Sequence, residues 1–374
     1  MDLSGVAVLD HHAHGLMRPG VLPGVPYATF FTEARDPEQI HSHAPHTLSY
    51  RRCLRDVAEL LGVEPNEHAI AELRQALGAE AYALRFFAAA RIEAVFLDDG
   101  FAQDQLEPIA WHERFFAAAR VLRLETHAEV ILARSGDLAE FVELFRASLD
   151  PPPPSVVAFK SIAAYRTGLD VRPPSRQDAE AGFREYKRGS GRLAQKALVD
   201  HMLGVALEIA AQRGLPVQFH TGFGDPDLDL RLANPLHLRA VLEAERFRTI
   251  PVVLLHASYP FAREAGYLAA TYAQVYLDVG LAIPLLSVGG MKRTLGQLFE
   301  LGPASKVLYS SDAHHVPELY YLAARRGREA LGRVLDGFIR DGDLTAAEAE
   351  QVARGVLRDN AARVYRWPAH HVAA

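Results

Sequence analysis

Eight short apolar runs punctuate this sequence, and each gives way to a helical pattern or a long connection. The runs cover 5–9, 92–97, 120–124, 156–159, 216–219, 251–255, 275–279 and 306–310. Most are nearly continuous in Val, Leu, Ile and Phe, as strands covered on both faces read. Helical patterns follow at 136–149, 193–212, 236–244, 261–272 and 292–301, and again from Glu318 to Arg366; Gly214 is placed to cap the second of these. Strands alternating with helices predict a parallel sheet. Eight such units predict a closed (β/α)₈ TIM barrel, an α/β fold. An open doubly wound sheet is the rival. Its dinucleotide-binding form needs a Gly-x-Gly-x-x-Gly motif at the first strand-to-helix turn, and none is present.

The barrel reading makes residues 1–374 a single domain. One long insertion, 27–90, interrupts it after the first strand. Leu54, Val57, Ala58, Leu60 and Leu61 form one helical apolar face there, and Ile70, Leu73, Leu77 and Ala81 another. These helices are expected to cover one end of the barrel. The formal net charge of -6 excludes a basic nucleic-acid-binding surface. Cys53 is the single cysteine, so no internal disulfide can form. No apolar stretch approaches the roughly 18 residues of a membrane span, and no signal peptide is visible. A soluble cytoplasmic protein acting on a small molecule is the expectation, with a homo-oligomer left open.

Chemistry-bearing residues stand where the apolar runs stop. The first run leads into Asp10-His11-His12-Ala13-His14. In an extended chain His12 and His14 leave on the same side, placed to grip one ion. Lys160 ends the fourth run, His220 the fifth, His256 the sixth, and Asp312 follows the eighth. In a barrel all of these ends point to one face. Four imidazoles and a carboxylate suit Zn²⁺ or a similar divalent ion. His11 is expected to face away from that pair, in a packing role or as support for the ligands. Glu125, Asp98 and Asp99 close other runs, the last two as substrate contacts or helix caps. His41, His43 and His46 read as a solvated loop, His314 and His315 as pocket lining, and His370 and His371 as a tail.

This order of ligands resembles the amidohydrolase superfamily over nearly the whole chain. Four stretches are more specific: 159–169 (FKSIAAYRTGL), 218–225 (QFHTGFGD), 254–260 (LLHASYP) and 309–312 (YSSD). They resemble the amidohydrolase half of plant and fungal proteins fused to a glutamine-synthetase-like domain, a group similar to bacterial γ-glutamylamide hydrolases. The resemblance implies that His12, His14 and Asp312 hold one metal. It also implies that a carboxylated Lys160 bridges to a second metal held by His220 and His256. Burial favours that modification, because a buried lysine loses its proton more easily. With one metal, an unmodified Lys160 is instead a substrate-binding cation. Glu125 is a further candidate bridge. Asp312 is the candidate general base. Arg166, next to Tyr165, is suited to bidentate capture of a substrate carboxylate. The leading expectation is a metal-dependent hydrolase of a C–N amide bond, with a γ-glutamyl amide as candidate substrate. The alternatives are a decarboxylase, hydratase or uronate-isomerase-like enzyme of the same superfamily, and a non-catalytic sensor or scaffold.

Overall fold

The computed structural model describes residues 1–368 except Pro23 and Ser190. Eight parallel strands follow one another in chain order. They are β1 Val8–Ala13, β2 Ile92–Asp98, β3 Ala117–Arg123, β4 Val156–Ser161, β5 Val217–Phe219, β6 Val252–Leu254, β7 Val275–Asp278 and β8 Val307–Leu308. The chain leaving β8 turns back onto β1. Asp312 N donates to His12 O at 2.9 Å and His14 N to Ala313 O at 2.7 Å, which brings the ends of the sheet together. This is the (β/α)₈ TIM barrel. Leu9, Phe96, Val121, Ala158, Val253, Leu255 and Leu308 pack inside it with Tyr365. Phe96 meets Tyr365 and Trp367 at ring-centroid distances of 5.1 and 5.0 Å, so the C-terminal segment fills the bottom of the barrel.

Several element boundaries differ from the sequence reading for local reasons. β1 starts three residues late and runs through the histidine motif to Ala13. β4 likewise includes Lys160, and β3 stops at Arg123, which puts Glu125 in the first turn of the helix Leu124–Arg134. The pattern over 136–149 belongs to a second helix, Leu138–Leu149, started by Asp137, whose side chain accepts from Glu140 N. A helix at Arg176–Arg188, capped by Ser175, precedes the long helix Lys196–Arg213. Gly214 closes the latter in the left-handed conformation.

The insertion's helices, Leu48–Leu61, Glu67–Leu77 and Ala79–Ala90, are fastened to the side of the barrel by the helix Pro317–Asp341. Buried Glu318 accepts from Tyr82 Oη at 2.7 Å and Tyr27 Oη at 3.2 Å, and also pairs with Arg74. Buried Arg326 donates to Asp56 at 3.1 Å. The part of the insertion that reaches the mouth of the barrel is the short segment Thr29–Arg35. Among the described residues no helix is long and apolar enough to cross a membrane.

Candidate metal centre

A cavity of about 480 Å³ opens where the strands end. His14, Lys160, His220, His256 and Asp312 line it, together with Tyr165 and Arg166 from the connection after β4. One buried group is His12, His256 and Asp312. One ligand atom from each lies within 4.8 Å of the others, and His12, His14 and Asp98 form a second such group. His12 Nε2 is 3.0 Å from Asp312 Oδ1, His14 Nε2 is 3.5 Å from the same oxygen, and His256 Nδ1 is 3.8 Å from Oδ2.

The backbone is bent hard to achieve this. His256 has φ 67° and Asp312 φ 50°, both left-handed and neither glycine. Each such residue costs on the order of 1–3 kcal/mol and persists only where its surroundings hold it. His256 is held by its own N–H, which donates to Asp278 Oδ2 at 2.8 Å. Asp312 is held by its N–H on His12 O.

Electrostatics keep the imidazoles ready to coordinate. Burial lowers His12 to about 3, helped by the nearby Lys160 charge, and lowers His256 to about 4. It also pushes His220 well below the ordinary value. At neutral pH all three are therefore neutral, the form in which an imidazole can coordinate. Burial alone would raise Asp312, but the surrounding His256, His12 and His14 hold it well below the usual carboxylate range. His12 Nδ1, His256 Nδ1 and Asp312 Oδ1 are buried with no hydrogen-bond partner. Orphaned polar atoms of this kind carry a cost that a bound cation removes. The donor set, imidazole nitrogen and carboxylate oxygen, fits a divalent metal.

Two predicted residues stand slightly apart from the central group. Lys160 Nζ is 2.9 Å from His12 Nε2 and 3.1 Å from Asp98 Oδ2. Burial lowers its pKa against the pull of Asp98. The His220 ring is tilted against those of His256 and Tyr165 at centroid distances of 4.4 and 4.5 Å, with its Nε2 3.2 Å from Phe223 O. That arrangement depends on Gly224, where a Cβ would lie 1.9 Å from Tyr165 Oη. Arg166 lines the cavity and pairs with Glu129 at 3.1 Å, while its Nε has no partner.

Other sequence candidates lie elsewhere. Glu125 is a structural anchor. Its carboxylate accepts from Ser161 Oγ at 2.7 Å and Ile162 N at 3.0 Å, which leaves it outside both ligand groups. His11 does not face away. Pairing between β1 and β2 slips between Asp10 and Ala13, so strict alternation fails and His11 also enters the barrel. Its Nε2 meets Asp278 Oδ1 at 3.1 Å. His41, His43 and His46 are not among the cavity's lining residues, whereas His314 and His315 are. His370 and His371 lie outside the described residues.

Three participants were under-read in the sequence. Asp98 joins the His12–His14 group, and Arg123 grips it with Nη2 2.7 Å from Oδ2. The pairing spans 25 residues, so no local pattern announces it; the only signal was that each closes a strand. Glu33, from the insertion, lines the cavity.

The amidohydrolase family model matches residues 177–367. The protein fluG of Emericella nidulans is 32% identical over 96% of this chain, which spans only 45% of that protein's length. A crystallised protein of Lactobacillus casei ATCC 334, whose assignment as a metal-dependent hydrolase is itself inferred, superposes with a TM-score of 0.85. It is 31% identical, with 98% of this chain and 97% of that one covered. A uronate isomerase of Bacillus halodurans C-125 shares the fold at 13% identity and a TM-score of 0.67, with 97% and 94% covered. Given the family match and the 32% identity with the fungal protein over 96% of this chain, the chain belongs to the amidohydrolase family.

Proposed function

We propose that this protein hydrolyses a C–N amide bond of a small molecule, with a γ-glutamyl amide as the candidate substrate. The observation that carries the reading is the buried group of His12, His14, His256 and Asp312, with its orphaned atoms, at the floor of a cavity that has Arg166 in its wall. A divalent metal, Zn²⁺ first among candidates, supplies Lewis-acid polarisation of a carbonyl and acidifies water when bound.

His12, His14 and Asp312 would hold one ion. Lys160, carboxylated on Nζ, with His220 and His256, would hold a second. Asp312 also serves as general base. Its depressed pKa keeps it ionised at neutral pH, ready to take a proton on a carboxylate oxygen and return it to the departing nitrogen. Arg166 orients the substrate by its carboxylate, using donor capacity that Glu129 leaves free. Tyr165, beside His220, lines the approach to the reacting carbonyl.

A second reading rests on the ion pair between Lys160 and Asp98. As an ammonium, Lys160 would be a substrate cation beside a single metal. That arrangement suits a decarboxylation or isomerisation on the same fold. Metal content per chain, measured on protein grown with and without added metal and bicarbonate, separates the two. Two equivalents together with turnover of γ-glutamyl amides support hydrolysis at a bridged site. One equivalent and no amide turnover favour the second reading. Arg166→Met is expected to raise KM for a γ-glutamyl amide on the order of tenfold to hundredfold with metal content unchanged. An unaltered KM removes Arg166 from substrate binding.

A further inference from the structure

The charged side chains lining the cavity are nearly all matched. Arg35 pairs with Asp225 at 2.7 Å and Asp227 at 3.2 Å, and Arg192 with Asp227 at 3.3 Å. Arg123 and Lys160 share Asp98, Arg166 has Glu129, and Asp312 faces the imidazoles. Glu33 is the exception. It is half-buried in the cavity wall, and among the described residues it has neither a hydrogen bond nor a contact ion pair. The charged groups that face it are Asp312, Asp225 and Arg35, with Tyr165 close by. The first two repel its charge, and Arg35 is already committed to Asp225 and Asp227. A carboxyl left in this condition beside a substrate cavity is relieved by an incoming cation. The same cavity offers the opposite charge at Arg166, whose Nε lacks a partner.

We propose that Glu33 is the group that recognises a substrate ammonium, so that the cavity selects a zwitterion, with its amine at Glu33 and its carboxylate at Arg166. This rests on the amide-hydrolase reading of the site and adds the substrate class that the site prefers. Glu33 is thus a specificity-determining residue carried by the insertion, delivered to the mouth by the segment Thr29–Arg35 rather than by a barrel strand.

The test uses the metal-loaded full chain and two ligands that differ only in the amine, L-glutamate and glutarate. Calorimetric titration of the wild-type protein is expected to show a preference for L-glutamate on the order of tenfold to hundredfold, the usual effect of a charge-assisted contact. In Glu33→Gln that ratio falls toward one, and in Glu33→Asp part of it returns. Because both ligands are measured on the same variant, a folding defect cancels in the ratio. A wild-type protein with no preference, a Glu33→Gln variant that keeps it, or failure of both ligands to bind overturns the proposal. Turnover of γ-glutamyl-p-nitroanilide is followed alongside. No turnover with a Glu33-dependent preference rejects the hydrolase reading and keeps the ammonium site. Turnover without Glu33 dependence rejects the ammonium site alone.

Discussion

His11 and His12 are neighbours in β1, both fully buried, yet they belong to two polar layers with opposite character. Around His11 nearly every group is matched. Its Nε2 meets Asp278, its Nδ1 lies 3.1 Å from Tyr365 Oη, and Ser310 Oγ donates to Asp278 at 2.7 Å. Gln218 Nε2 donates to His11 O at 2.9 Å and to Tyr365 Oη at 2.8 Å; only Gln218 Oε1 lacks a partner. Around His12 three atoms are orphaned. The matched layer pairs its charged groups within the chain. The unmatched layer has the donor set of a metal site, and the matched layer beneath it holds His256 in place through Asp278. Burial alone therefore says little about a histidine; what distinguishes the two is whether its partners are supplied by the chain.

This contrast can be broken by experiment. Asp312→Asn should lower turnover roughly a thousandfold, with loss of bound metal by elemental analysis. Full metal and activity in that variant would remove the upper layer from function. His11→Ala should instead cost about 3–5 kcal/mol in urea unfolding, because it takes the imidazole partner from the buried Asp278 carboxylate and leaves a cavity in the barrel, while metal content stays. Metal loss without destabilisation would merge the two layers into one. Gly224→Ala should lower kcat/KM on the order of tenfold to hundredfold with little change in Tm, because the new methyl displaces Tyr165 and His220. Unchanged kinetics would show that those rings need not sit as they do.

The smallest effect is on pH. His12 and His315 at about 3, His256 and His112 at about 4, and His220, held well below the ordinary value, refuse protons that the unfolded chain accepts below about 6.5. Their stabilising contribution is present above that pH and is lost as pH falls. Asp10 at about 7 and Glu33 at about 8 act oppositely, being raised by burial, and soften the slope. The Tm of metal-free protein should still fall by several degrees between pH 6.5 and 5. A flat profile would mean that the imidazoles already share protons in the folded state.

The barrel was legible because strand-type runs and helical spacing are local properties, and the ligand types stand where those runs stop. Lys160, His256 and Asp312 could be placed at one mouth for that reason alone. What escaped was non-local. The slip in pairing that turns His11 inward depends on β2, and the hold of Arg123 on Asp98 depends on β3 lying beside β2. The left-handed turns at His256 and Asp312 run against ordinary backbone preference, so sequence propensity points away from them. The helix Arg176–Arg188 was readable after all, from its Ser175 cap and the 179, 182, 183, 186 spacing of its buried face.

Tyr365 gives the C-terminal segment a bearing on how the protein is made. The ribosome releases His12 and His14 more than 350 residues before the tyrosine that braces His11. Until then the barrel floor lacks the rings that pack on Phe96, and the polar layer under the metal ligands is open. The polar layer that supports His12 and His256 is therefore incomplete until Tyr365 and Trp367 have been made and have packed into the barrel, long after the histidines themselves.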